Sequence, residues 1–403
     1  MPETTDRATR ATKVAAVILL ITMVMLGVFP IDVLLPSFPA LSTQFNTTPT
    51  DIALSVSVFA IGISLSQLLI GPLSDALGRK NLLLGGMAVS IMGALGCVWA
   101  SDYAAFLIFR VVQAVGCGCF VLSQALVQDL FVGKERDRLR ILMVTASGIF
   151  ISISPLIGTV LQQLLDWQGS FYVFAAIAVV VFVKAWLSLR NTPPVSSAGS
   201  SLNIFKTYRQ LCRNFNFIAY WLICAIVFAC HFSFIVVSPL VFIEQLQMSN
   251  YEFSLMLLIY GAAYVLGGTL AGVLNKRMES ATQIRTGLCL ILLSGLTMLL
   301  LATFYGLTPI TVLVPMMICT AGTTITRPAA TSRAMEFFPD NAGASASAGN
   351  TIIFIGGGLI SALINLSAYD LQMTLAISFI VLSGFALLIN DRINRVARVQ
   401  SLA

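Results

Sequence analysis

The sequence predicts an all-α membrane protein of twelve transmembrane helices, and three observations carry that reading. Hydrophobic residues make up 58% of the 403 positions and charged residues 10%, with a mean hydropathy of +0.92. Soluble domains carry about 25% charged residues, so a water-exposed fold of this length would lack the polar side chains to cover its surface. The second observation is a recurrence of apolar runs of about 20 residues, the length that crosses a bilayer core as a helix. Runs such as Leu82 to Ala100 show no strict alternation, which a membrane barrel requires. The third is the placement of charge. Lys and Arg cluster at Arg7–Lys13, Arg79–Lys80, Lys134–Arg140, Lys184–Arg213, Lys276–Arg285, Arg327–Arg333 and Arg392–Arg398. The connections around 42–51, 101–103, 166–170, 244–252 and 367–370 carry none. The positive-inside rule then places both termini in the cytoplasm.

The spans are expected near 14–36, 52–71, 82–100, 103–127, 140–163 and 170–189, then near 216–240, 252–274, 284–305, 308–331, 343–366 and 370–390. The first run, from Val14 to Leu35, is too long for the apolar part of a cleaved signal and is expected to be a span. Between the sixth and seventh runs lie Pro193, Pro194 and the Ser-rich stretch 196–201, the composition of a flexible linker. The expected organisation is an N-terminal six-helix half over 1–190, a cytoplasmic linker over 191–215 and a C-terminal six-helix half over 216–403. A short echo relates the halves. Gly71-Pro-Leu-Ser-Asp-Ala-Leu-Gly-Arg-Lys80 follows the second span, and Gly268-Thr-Leu-Ala-Gly-Val-Leu-Asn-Lys-Arg277 follows the eighth. Such recurrence at matching junctions is the mark of a parallel repeat.

The net charge of +6 resides in short loops between spans and is not read as a nucleic-acid surface. The eight cysteines fall mostly inside apolar runs without metal spacing, and are expected to pack as small apolar residues. No phosphate-binding loop, metal cluster or nucleophile–base arrangement is present, so the chain is not read as an enzyme and no cofactor is expected.

A handful of residues interrupt the apolar background. Arg110 is the basic residue placed well inside a span, and intramembrane charge is costly enough to mark function. Asp32, in the outer half of the first span, is the anion at comparable depth. The two are expected to face one cavity, where protonating Asp32 would weaken its attraction to Arg110. His231 falls near the middle of the seventh span, where it is either a neutral cavity residue or a second proton site. Gln113, Gln124, Phe234, Tyr260 and Tyr264 are candidates to line an amphipathic pocket. Arg327, beside Pro328, either snorkels to the cytoplasm or contacts an anionic substrate.

The segment from Gly71 to Lys80 resembles the cytoplasmic loop signature of the major facilitator superfamily, G-x-L-x-D-x-x-G-R-K. Gly71 and Gly78 suit tight turns and close helix approach, and Asp75 suits the positive end of a neighbouring helix. The resemblance implies a conformational latch of Gly71, Asp75, Gly78 and Arg79, with Asp129 as its acidic partner at the end of the fourth span. Arg110-Val-Val-Gln113-Ala-Val-Gly116 is similar to the fourth-helix motif R-x-x-Q-x-x-G, which implies a part in proton coupling. Ser154-Pro155-Leu-Ile-Gly158-Thr159 is a degraded likeness of the antiporter signature G-P-x-x-G-G. Asp32, Pro36 and Pro39, the run from Gln67 to Asp75, Trp167 and Phe171, Ser238-Pro239, Ala334-Met335-Glu336 and 342–347 resemble the bicyclomycin/chloramphenicol-resistance (Bcr/CflA) branch. What the branch implies is a major facilitator fold in the bacterial inner membrane, exporting drugs or other small amphipathic molecules as a monomer in exchange for protons. Its alternatives are export of an endogenous metabolite, such as a nucleoside, an amino-acid derivative or a siderophore, proton-coupled uptake, or a non-transporting membrane sensor.

Overall fold

The computed structural model describes residues 2–47, 49–189, 204–365 and 370–402. Part of the linker expected over 191–215, residues 191–203, lies outside that set. The described residues form fifteen α-helices: α1 (Pro2–Asp32), α2 (Phe38–Gln44), α3 (Pro49–Leu77), α4 (Arg79–Val98), α5 (Tyr103–Cys117), α6 (Leu122–Leu130), α7 (Gly133–Leu165), α8 (Gln168–Ser188), α9 (Ile204–Arg213), α10 (Phe215–Pro239), α11 (Asn250–Arg277), α12 (Ser280–Tyr305), α13 (Pro309–Glu336), α14 (Ala342–Asn365) and α15 (Leu371–Leu402). Twelve membrane-length apolar segments run through them, α5 and α6 together supplying the fourth.

Local sequence explains where these helices stop and bend. α1 ends at Asp32, and a 3₁₀ turn over Leu35–Ser37 leads into α2. The fourth span, expected as one helix, is broken by a 3₁₀ turn at Gly118–Val121, where a Cβ on Gly118 would strike Ser66 of α3. After Pro239 the backbone of the seventh span widens into π-helical geometry over Leu240–Gln245. Proline gives no N–H to the ladder, and such widenings gather at irregular points of helices. The end of the expected linker is also helical. Within α9, Leu211 is buried, Arg209 and Arg213 are exposed, and Tyr208 donates its hydroxyl to the Leu68 carbonyl at 2.7 Å.

The chain divides into two compact units. The first holds residues 1–130, 153–208 and 339–350; the second holds 131–152, 209–338 and 351–403. The same packing recurs in each. In the first unit α4 lies against α5 and α8; in the second α12 lies against α13 and α15. The pairs α4–α5 and α12–α13 both cross on glycine. A Cβ on Gly116 would collide with the Gly86 carbonyl and the Ser90 backbone, and one on Gly322 with the Gly287 carbonyl. Small residues let membrane helices touch backbone to backbone, the contact that substitutes for hydrophobic driving force in lipid. Large apolar side chains are left outside, among them Leu65, Trp186 and Leu388. All eight cysteines are free, and six of them are buried in the packing.

Candidate functional site

Arg110 sits on α5 and is fully buried. Its guanidinium donates through Nη1 to Oε1 of Gln113 at 2.8 Å, one helical turn away, and through Nη2 to the carbonyl of Pro30 at 3.2 Å. Its flat face rests 4.0 Å from the ring centroid of Phe59, with Phe171 further off at 5.9 Å. Pro30 is among the last four residues of α1, whose carbonyls have no intrahelical donor and carry partial negative charge. Arg110 therefore supplies a cation to the C-terminal end of α1.

Asp32 is half-buried at that same helix end, but no ion pair joins it to Arg110. The expected direct pairing is absent from this structure for a geometric reason: the guanidinium is engaged by an amide, a main-chain carbonyl and an aromatic face. The fifth-span motif reaches the same stretch. Gly158 of α7 faces the Val33 carbonyl and the Pro36 ring so closely that a Cβ there would collide with both. Ser154 is fully buried, Pro155 half-buried, and Ser170 of α8 donates to the Val33 carbonyl at 3.5 Å. Arg110, held by Gln113, and Gly158 thus meet residues 30–36, the segment that carries Asp32. Gln124, on α6, is half-buried, and its Oε1 has no hydrogen-bond partner among the described residues.

The loop signature forms a second cluster in the first unit. Gly78, at φ +91°, occupies the left-handed region that glycine adopts without strain, and starts α4. The turn directs Arg79 inward, where it pairs with Asp75 at 3.0 Å, with Asp129, and with Ser74 Oγ at 3.2 Å. Both carboxylate oxygens of Asp75 are also used: Oδ1 accepts from the Gly343 amide at 3.0 Å and Oδ2 from Ala344 at 2.9 Å. These are the first amides of α14, a helix N-terminus presented to an anion. Gly71 and Gly343 make the approach possible, since a Cβ on either would meet the other's carbonyl.

The second unit brings His231, Tyr260 and Tyr264 together. The Tyr260 hydroxyl lies 2.6 Å from Nδ1 of His231 and the Tyr264 hydroxyl 2.6 Å from Nε2. Thr320 of α13 donates to the Tyr260 hydroxyl at 2.6 Å. Tyr260 is stacked with the imidazole and Tyr264 stands on edge to it. Phe234 packs on Tyr260 at 5.1 Å. All of these side chains are buried, and buried polar networks of this kind are tolerated when their members are satisfied. Room for the Tyr264 ring comes from Gly148, where a Cβ would run into it.

Three neighbours of these side chains were not singled out from the sequence: Phe59, the Pro30 carbonyl and Thr320. Only Thr320 left a signal, a threonine-rich run from Thr320 to Thr331 in an otherwise apolar span.

Twelve apolar spans, a three-helix packing that recurs in each unit and buried charge at helix ends are the marks of a polytopic membrane transporter. The sequence pattern of the Major Facilitator Superfamily matches residues 17–361, and the chain belongs to that family, whose members are transporters and not enzymes. A protein of Pseudomonas aeruginosa named "Chloramphenicol resistance protein" is 27% identical over 299 residues, covering 73% of this chain and 70% of that one. "Multidrug resistance protein MdtL" of Salmonella paratyphi C is 25% identical over 370 residues, covering 90% and 91%. Among solved structures, one of the E. coli fucose:proton symporter FucP superposes with a TM-score of 0.70 at 17% identity, covering 94% of this chain and 98% of that one. That last likeness concerns the fold. The drug-resistance names agree with the branch that the sequence resembles.

Proposed function

We propose that this chain exports small amphipathic molecules, drugs among them, from the cytoplasm in exchange for protons. The observation that carries the reading is the convergence of Arg110, held by Gln113, and Gly158 on residues 30–36, which end α1 at Asp32 and follow it. In that arrangement Asp32 is the proton-accepting group. Arg110 fixes the end of its helix, so protonation and release at Asp32 act on a segment already held by the fourth and fifth spans. The names of the relatives from Pseudomonas and Salmonella support drug efflux as the cargo class. On this reading the protein works as a monomer in the bacterial inner membrane with both termini cytoplasmic. Halves spanning 1–190 and 216–403 alternate access about a linker over 191–215, and Arg79 with Asp75 and Asp129 forms the latch.

The test is release of an imposed proton gradient in inverted membrane vesicles, followed by a pH-sensitive dye as chloramphenicol and other candidate compounds are added. Wild type is expected to dissipate the gradient on addition of cargo, and Asp32→Asn is expected not to. Gradient-dependent transport retained by Asp32→Asn would remove Asp32 from the coupling step. Absence of proton release with every compound would defeat antiport.

A further inference from the structure

For Arg327 the sequence admits two readings, a snorkelling side chain and a substrate contact. On α13 it is half-buried, and its guanidinium lies 5.1 Å from the ring centroid of Phe228 on α10. It makes neither an ion pair nor a hydrogen bond through its side chain among the described residues. The sequence supplies no Asp or Glu deep in the last six spans that could serve it. A cation held in a membrane span with no protein anion is costly, and an aromatic face offsets only part of that cost.

The position is not a lipid-facing one. Two thirds of the apolar window of α13 is buried, and its lipid side is marked by Ile310 and Val314, 69% and 43% exposed. Arg327 lies thirteen positions after Val314, roughly 140° around the helix at 3.6 residues per turn. The platform beneath it is rigid. Phe228 stacks on Phe232 at 5.2 Å, meets Phe354 edge-on at 5.6 Å, and fills the space that a side chain at Gly357 would take. Thr320, Thr324, Arg327 and Thr331 recur at helical spacing along one face of α13. Opposite them on α10 stand Cys224, Phe228 and His231, with Cys224 Sγ 3.6 Å from Thr331 Oγ1. A guanidinium, an aromatic shelf and a row of threonines thus lie together inside one unit.

We propose that this face of the second unit is an anion subsite, and that the preferred cargo is an aromatic or apolar molecule bearing a single carboxylate. Arg327 supplies the counter-charge in a fork that suits a carboxylate, and Phe228 supplies the surface for the adjoining ring. The proposal rests on the transport reading above for its relevance to cargo, but its test needs neither a direction of transport nor a proton gradient.

The test is equilibrium binding to the purified full-length protein in detergent, read by fluorescence of three probes sharing one aromatic body: dansylglycine (anionic), dansylglycinamide (neutral) and dansylcadaverine (cationic). Wild type is expected to bind dansylglycine saturably and at least ~10-fold more tightly than the other two, about 1.4 kcal/mol. Arg327→Gln is expected to remove that preference, leaving dansylglycinamide binding within about twofold, and Arg327→Lys to restore part of it. Phe228→Leu, which keeps the charge, is expected to weaken dansylglycine about threefold. Should Arg327→Gln fail to give a monodisperse protein, Arg327→Met supplies the same comparison. Lack of saturable dansylglycine binding, equal or tighter binding of the amide or the amine, or an equal loss for all three probes in Arg327→Gln would each overturn the subsite. Export that fails in vesicles while anion-selective binding persists would count against the transport reading alone.

Discussion

The two units handle buried polarity in different ways. In the first, full charges are set against main chain: Arg110 on the Pro30 carbonyl at the end of α1, and Asp75 on the Gly343 and Ala344 amides at the start of α14. In the second, the polar centre is built from side chains bonded to one another, with His231 between two tyrosine hydroxyls and Thr320 behind them. A charge at a helix end acts on a whole rigid element, because the partial charges it meets belong to the helix. A ring of side-chain hydrogen bonds acts on its own members. The first arrangement ties a side-chain charge to a whole helix; the second ties side chains to one another.

Breaking the charge–helix contacts is expected to give the largest effects. Arg110→Ala strands two buried acceptors, each costing about 1–3 kcal/mol, and is expected to abolish transport and lower the thermal midpoint in detergent. Arg110→Lys is expected to recover stability in part and transport hardly at all, because one ammonium cannot serve Gln113, Pro30 and the face of Phe59 together. Next comes Asp75→Ala. It removes the anion from the start of α14, a contact worth about 1–2 kcal/mol by analogy with helix caps, and leaves Arg79 with one carboxylate. Thermal unfolding and gradient dissipation measured side by side are expected to fall together.

Smaller effects are expected in the second unit. His231→Phe takes the shared partner from two buried hydroxyls and is expected to cost about 1–3 kcal/mol. His231→Gln, which can donate and accept, is expected to regain part of that. If His231→Phe proved more damaging than Arg110→Ala, the contrast between the units would collapse. The finest probe is Thr320→Val, which keeps the shape and removes one hydrogen bond, for about 0.5–1.5 kcal/mol. Its expected signature is a small drop in thermal midpoint with proton coupling unchanged.

Much of this was legible in the residues. Hydropathy and loop charge located the spans, since lipid imposes helices of a set length. The spacing of the loop signature brought Gly71, Asp75, Gly78, Arg79 and Asp129 together, and the first four are close enough in sequence for local geometry to do most of the work. Arg110 was legible as a buried cation. Its partners were not. A main-chain carbonyl such as that of Pro30 has no identity in a sequence, and Phe59 is one of 26 phenylalanines with nothing local to mark it. The simplest electrostatic guess paired Arg110 with Asp32. The guanidinium instead met the helix end on which Asp32 lies, a contact that only the crossing of two spans can define. His231, Tyr260 and Tyr264 could be named as cavity candidates. That the two hydroxyls take the two ring nitrogens follows from the packing of α10 on α13 and of α11 on α13.

The glycine crossings have a consequence for how such a chain is made. Gly86 with Gly116, and Gly287 with Gly322, join helices that follow one another directly and are linked by only a few residues, 99–102 in one case and 306–308 in the other. Each pair can therefore close on itself as soon as its second helix has been synthesised, before any later span exists. Two hairpins formed in this way are then expected to precede the packing of the remaining helices. A bulky residue at Gly116 or Gly322 would then act during biosynthesis, reducing the amount of protein that reaches the membrane.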